Sequence, residues 1–378
     1  MATGKYGFSE ESAIVKVTSD GVDLNSIWKE VNDALSIYNE ERSKLVSLLS
    51  YPTTRVADAV PQAQGELEPE EASEFGEPKS ARVDVEGLKV GYKFRDYDLA
   101  TRATWKYLRD ADARQVEGLF AQIIDGFNRK TQKTILGRLF DPVQQENEFQ
   151  NPVYGLYNGD GMIPPSYMGH TFDGTANHYV ASGASVIDAS DVEDAARLVT
   201  AKGYGRTPGS KLLLLVNPQE AERVRSWRAG EESRPMEGME TAGPIAKWDF
   251  IPSEAAPAYL LPDNIVGAVA PGQFNGLPVL GSYGELFVIQ SEFVPAGFFA
   301  VVATGGPNSD LNPVAFRQHP SAAYQGLRLI PGPVPAYPLQ ESIFSQGFGV
   351  GVRHRGAAVC VQVTPGSTYT APSILKWR

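Results

Sequence analysis

Asp112-Ala-Arg-Gln-Val-Glu-Gly-Leu-Phe-Ala-Gln-Ile-Ile-Asp-Gly-Phe-Asn-Arg-Lys-Thr-Gln-Lys-Thr-Ile-Leu-Gly-Arg-Leu-Phe140 is the clearest element in the chain. Val116, Leu119, Phe120, Ile123, Ile124, Phe127, Ile135, Leu136, Leu139 and Phe140 recur at helical spacing and form one apolar stripe. Arg114, Glu117, Asp125, Arg129, Lys130 and Lys133 fall largely off it. Asp112 with Gln115 predicts a capping box at the start, and Asp141-Pro142 predicts the stop. At ~1.5 Å per residue the helix would span ~44 Å, more than twice the mean length in globular proteins.

Upstream, Tyr51 to about Ala100 shows no helical period. Glu66, Glu68, Glu70, Glu71, Glu74 and Glu77 fall together there with no base among them. A structureless stretch of this length is rare inside a compact domain, so the segment reads as an extended arm held by something outside its own subunit. Its later part, Ala81-Arg-Val-Asp-Val-Glu-Gly-Leu-Lys-Val-Gly-Tyr-Lys-Phe94, alternates apolar and polar residues around Glu86-Gly87, predicting a β-hairpin or bent two-stranded ribbon. Before it, residues 24–50 carry Ile27, Val31, Leu35 and Leu45 at helical steps, interrupted at Glu40, Glu41 and Arg42. That pattern predicts an amphipathic helix ended by Pro52, lying against a neighbour.

Downstream the period changes. Ser190-Asp-Val-Glu193 predicts a capped helix running to Lys202, with Gly203 as its left-handed stop. Lys211-Leu-Leu-Leu-Leu-Val216 predicts a buried strand, and Asn217-Pro218-Gln-Glu220 caps a second helix. Short apolar runs at 277–280, 286–289, 298–302, 326–330 and 357–363, divided by Gly and Pro, predict further strands. No long internal repeat is visible, and the class expected is α+β.

Of the 378 residues 42% are hydrophobic and 21% charged, enough for a sizeable core and far from the composition of a disordered chain. Thirty-seven Gly and 27 Pro favour many turns and short strands. Against 34 Lys and Arg stand 45 Asp and Glu, leaving a net charge of −11, the wrong sign for broad binding to nucleic-acid phosphates. The start of the chain lacks a basic segment followed by an apolar one, and no window approaches ~18 apolar residues, so neither secretion by that route nor membrane insertion is expected.

Motifs that carry chemistry are missing. His170, His178, His319 and His354 have no partners at metal-ligand spacing. There is no G-x-S-x-G elbow and no P-loop, and Cys360 lies in an apolar strand pattern, where it reads as a small buried hydrophobe. Gly347-Phe-Gly-Val-Gly351 has its glycines wrongly placed for a phosphate loop and reads as close backbone packing in a strand. The acidic run lacks the ligand periodicity of a calcium loop. No catalytic residue, cofactor or metal site is therefore expected. A chain without an active site, in which segments 24–50 and 51–100 cannot satisfy themselves, reads as an assembly protein.

Order and wording together carry a resemblance. Tyr154-Gly-Leu-Tyr-Asn-Gly-Asp-Gly-Met-Ile-Pro-Pro165, Pro271-Gly-Gln-Phe-Asn-Gly-Leu-Pro-Val279 and Phe348-Gly-Val-Gly-Val-Arg-His-Arg-Gly-Ala-Ala358 resemble HK97-type major capsid proteins of tailed bacteriophages, in particular of phages infecting actinobacteria. The similarity spans most of residues 80 to 363. It implies an HK97-like capsid fold with an N-terminal arm at 1–50 and an extended loop at 51–100 lying across the neighbouring subunit. A peripheral domain would comprise 101–190, with the spine helix at about 112–140, and the return at 336–378. An axial α/β domain at 191–335 would cluster at five- and six-fold centres, and it is expected to fold without the arms.

The function implied is self-assembly into pentamers and hexamers of an icosahedral head shell enclosing double-stranded DNA. The product would be a virion component assembled in the host cytoplasm. Partners implied are copies of itself, with separate scaffold, portal and decoration proteins possible, only weak non-specific contact with packaged DNA, and no membrane. The spine helix starts near residue 112, which leaves no room for a built-in scaffolding region before the arm, so a separate scaffold or none is expected. Candidate inter-subunit contacts are Glu66, Glu68, Glu70, Glu71, Glu74, Glu77, Lys79, Arg82, Lys89, Lys93, Arg353 and Arg355. Some family members join a loop lysine to a neighbour's asparagine, and Lys79, Lys89 and Lys93 are available, although the expectation here is non-covalent contact. Two alternatives stay open: an encapsulin-like cellular compartment, and a carbohydrate-active β-rich enzyme, for which the five Trp residues do not cluster.

Overall fold

The computed structural model describes residues 16–40, 43–61, 87–161, 163–164, 172, 176–234, 243–255, 269–331 and 341–373. Among them the helices are α1 (Leu24–Glu40), α2 (Lys44–Leu49), α3 (Trp105–Asp110), α4 (Ala113–Phe140), α5 (Ala189–Ala201) and α6 (Pro218–Arg225). The strands are β1 (Ser50–Thr53), β2 (Ala57–Pro61), β3 (Gly87–Gly91), β4 (Lys93–Arg102), β5 (Gln145–Glu146), β6 (Pro152–Val153), β7 (Tyr179–Ala181), β8 (Lys211–Val216) and β9 (Phe250–Pro252). They continue with β10 (Gln273–Phe274), β11 (Leu277–Pro278), β12 (Gly281–Tyr283), β13 (Leu286–Gln290), β14 (Phe298–Thr304), β15 (Val314–Gln318), β16 (Arg328–Pro331), β17 (Glu341–Val352) and β18 (Ala358–Gln362). The chain divides into two compact units, one drawn from 1–43, 94–131 and 318–349, the other from 44–93, 132–317 and 350–378.

In the first unit, the stripe of α4 down to Phe127 packs on α1 and on the sheet strands β16 and β17, burying Ile27, Val31, Phe120, Phe127, Leu327 and Phe344 in one core. Phe120 and Phe344 meet with ring centroids 5.9 Å apart. β17 pairs antiparallel with β16, and β4 also pairs with β17. The start of α4 is the capping box read from sequence: Asp112 Oδ1 accepts from Gln115 N at 2.8 Å, and Gln115 Oε1 accepts from Asp112 N at 3.2 Å. Asp20 adds a second carboxylate that accepts from Ala113 N at 3.2 Å. Two expectations upstream are corrected. The expected single helix over 24–50 is two helices, and the buried stripe Leu24, Ile27, Val31 and Leu35 of α1 packs on its own chain rather than needing a neighbour. Pro52 stops no helix; it sits in β1, the edge strand paired parallel with β15, where an edge position tolerates its missing N–H.

The second unit is built on a seven-stranded mixed sheet in the order β7-β18-β14-β8-β13-β12-β9. β8 runs parallel to β13 and antiparallel to β14, and its Leu212 to Val216 are all buried. The core formed with α5 and α6 contains Val192, Val199, Leu214, Val216, Val224 and Trp227. Asn217 caps α6 by accepting from Gln219 N at 3.1 Å, with Pro218 in the first turn. The cap of α5 differs from expectation. Asp188, not Ser190, accepts from Asp191 N at 3.1 Å, because Ser190 Oγ donates to Asp188 at 2.7 Å instead. Glu193, freed from capping, is buried and accepts from Tyr283 OH at 2.8 Å and Lys247 N at 3.1 Å. Gly203 takes φ +87°, the left-handed stop predicted. Two strands of this sheet, β7 and β18, lie outside residues 191–335. A fragment cut at those limits would therefore bare the hydrogen-bonding edge of β14, whose seven residues are all buried.

Candidate assembly site

β2 and β3 form an antiparallel ribbon in which Ala57 pairs with Gly91 and Pro61 with Gly87. The strand at 87–91, expected to fold back near Glu86-Gly87, thus takes Ala57–Pro61 as a partner. Glu66, Glu68, Glu70, Glu71, Glu74, Glu77, Lys79 and Arg82 lie outside the described residues. Lys89 is exposed on β3 opposite Ala59, and Lys93 Nζ donates to Gln145 Oε1 at 3.0 Å.

The foot of the ribbon is fixed by a polar network that sequence reading missed. Asp58 accepts from Tyr92 OH at 2.7 Å and from Arg55 Nη1 at 2.9 Å, and Arg353 Nε stands 3.8 Å away. Burial alone would raise the Asp58 pKa, but the hydrogen bonds from Arg55 and Tyr92 and the charge of Arg353 hold it below the usual carboxylate range. Tyr51 OH lies 3.3 Å from Tyr92 OH, and burial raises the pKa of both phenols, that of Tyr92 far above its ordinary value. Arg317 Nη1 donates to Tyr92 O at 2.8 Å and pairs with Glu148. At Gly91 a Cβ would lie 2.9 Å from Asn151 Cβ, so this glycine lets the ribbon approach β6.

Arg355, expected at a contact between subunits, is instead committed inside its own chain. Its side chain is 0% exposed, its Nε donates to Gly155 O at 2.9 Å, its Nη2 donates to Leu156 O at 3.1 Å, and its Nη1 meets Asp160 Oδ1 at 2.7 Å. The guanidinium also stacks 4.7 Å from the Tyr154 ring centroid. A buried cation must be paired and hydrogen-bonded, and these partners complete that requirement without a neighbour. Arg353, with its side chain 35% exposed, remains partly available.

The described histidines and Cys360 are held by local contacts. His178 Nδ1 sits 2.8 Å from Ala358 O under the Phe172 ring, and burial lowers its pKa to about 4. His354 Nε2 lies 2.7 Å from Asp310 O, with its pKa also lowered by burial. His319 accepts from Ser321 N at 3.0 Å, while His170 lies outside the described residues. The Cys360 thiol is buried in β18 and its pKa is pushed up by burial. In β17 a Cβ on Gly347 would lie 2.7 Å from the Phe94 ring, and one on Gly351 2.7 Å from the Tyr92 ring, the close packing read from sequence. Among the described residues no group of three or more His, Cys, Asp or Glu could hold a metal ion, and no helix is long and apolar enough to cross a membrane.

A long capped helix, a mixed sheet that recruits the C-terminal β18, and a paired ribbon rooted in a charged network make up a mixed α and β fold that matches phage capsid structures of HK97 type. A solved structure from Mycobacterium phage Patience is 37% identical, with a TM-score of 0.71 and 98% of each chain covered. The chain belongs to the HK97-type major capsid proteins of tailed bacteriophages. It is similar in fold to the capsid of an empty GTA particle (18% identity, TM-score 0.44, 86% of this chain and 91% of that one). The same holds for the holo-SrpI encapsulin complex of Synechococcus elongatus (13% identity, TM-score 0.44, 90% and 97%). No protein-family model matches the chain, and no curated protein does.

Proposed function

We propose that this capsid protein assembles into pentamers and hexamers that close into an icosahedral head around double-stranded DNA. The observation that carries this reading is 37% identity over 98% of a phage chain. In the proposed arrangement residues 1–50 act as the arm, 51–100 as the loop laid on the neighbouring subunit, 101–190 with 336–378 as the peripheral domain, and 191–335 as the axial domain. The paired β2–β3 strands, anchored at Asp58 and Tyr92, support the loop role because they give it a stiff base from which to reach outward.

Loop contacts in this reading are non-covalent and draw on Glu66, Glu68, Glu70, Glu71, Glu74, Glu77, Lys79, Arg82, Lys89, Lys93 and Arg353. The protein acts as a structural component that assembles in the host cytoplasm and touches DNA weakly because its net charge of −11 repels phosphate; portal and decoration proteins are candidates for further partners. Purified particles should absorb more at 260 nm than at 280 nm. Particles poor in nucleic acid and filled with protein cargo would favour a compartment shell instead. High-mass bands that survive boiling in SDS with reductant would replace non-covalent loop contacts with cross-links.

A further inference from the structure

The hairpin β5–β6 pairs only Gln145 with Val153 and Glu146 with Pro152, which leaves residues 147–151 as a short knuckle. Asn147 is 6% exposed and organises it: its Oδ1 accepts from both Phe149 N and Asn151 N at 2.9 Å, and its Nδ2 donates to Val56 O at 3.2 Å. Gln150 is held at φ +60°, a left-handed conformation uncommon for a residue with a side chain. Glu148 pairs with the buried Arg317, and Asn151 abuts Gly91 of the ribbon. The whole platform is therefore fixed to the root of the extended loop.

Among the exposed, mostly polar side chains of the platform one is a large aromatic. Phe149 at its tip is 61% exposed, and Val143, just before β5, is 62% exposed. An aromatic side chain carried on a turn whose backbone is already held leaves little loop ordering to be lost on binding. Buried aromatics are also the usual anchors of protein interfaces. The occupant follows from continuity. The knuckle touches the ribbon's root through Val56 and Gly91, and the ribbon belongs to residues 51–100, the loop proposed to lie on a neighbouring subunit. Every copy in a shell carries both features side by side.

We propose that Phe149 is an anchor that packs against a second copy of this chain in the assembled shell. The proposal rests on the shell reading. The test uses the full-length protein. Phe149→Ala should leave the melting of the unassembled subunit unchanged while weakening subunit association by roughly 10- to 30-fold, read from the shift in dissociation across a denaturant series. Hydroxyl-radical footprinting of the wild type should show Phe149 oxidised several-fold less in particles than in unassembled subunits. Variant shells that dissociate like wild type, or equal oxidation of Phe149 in particles and subunits, would overturn the proposal while leaving the shell reading intact. Protection that arises only when another virion protein is added would also overturn it. A wild-type chain that forms no particles would overturn the shell reading, and this proposal with it.

Discussion

Arg355 and Asp160 stand 195 positions apart, yet they join two of the sequence phrases that carry the family resemblance. Replacing Arg355 with Ala would leave Asp160 and the Gly155 and Leu156 carbonyls without their donor. The expected loss is ~3–5 kcal/mol of unfolding free energy, measured by chemical denaturation. A loss below ~1 kcal/mol would mean that water replaces the guanidinium. His178 makes stability depend on pH. Its folded pKa of about 4 lies below the unfolded value of 6.5, so its contribution is complete above 6.5 and is lost as pH falls toward 4. The span corresponds to about 3 kcal/mol. His178→Gln should flatten the acid limb of a stability–pH curve; an unchanged limb would assign it to other groups. Asp191 works in the opposite sense, since burial raises its pKa to about 7 and its contribution is lost as pH rises through that value. Local chemistry of this kind was only partly legible. The Asp112–Gln115 cap and the buried Cys360 follow from neighbours in sequence. The Arg355–Asp160 and Asp58–Tyr92 pairs do not, because spacing along the chain says nothing about which distant strands will meet.

Among the elements, α4 was readable almost to the residue because its apolar period runs unbroken through Phe127 and its ends carry a capping box and Asp141-Pro142. Phe120 is 2% exposed against Phe344. Phe120→Asp should abolish soluble assembly, because an unpaired buried carboxylate costs several kcal/mol. Normal particles from that variant, seen by sedimentation, would contradict the packing described. The strands were harder. β15 and β17 were not foreseen as strands in full, since the glycines of β17 blur its period. β18 was read as a strand, but its place between β7 and β14 could not be, because partner choice in a sheet depends on the fold as a whole. Pro52 misled for a similar reason: proline ends helices, but it also fits an edge strand, and only the pairing with β15 decides between them.

Across the assembled particle, charge should matter collectively. Exposed pairs contribute only ~0–1 kcal/mol each, but a closed shell repeats each one in every subunit. Glu68, Glu70, Glu71 and Glu74 changed to Gln should weaken the shell and reduce its sensitivity to salt, with Arg353 rather than Arg355, both in the turn between β17 and β18, as the available cation. Dissociation that is unchanged across a salt series would remove this electrostatic part.

Copies of one 41.0 kDa chain are expected to close into a shell. Electron microscopy of the purified full-length protein tests it most directly. The expected images show closed particles with icosahedral symmetry built from five- and six-membered rings. A single species that sediments as a 41.0 kDa monomer, under conditions where α4 and the seven-stranded sheet are folded, would contradict it.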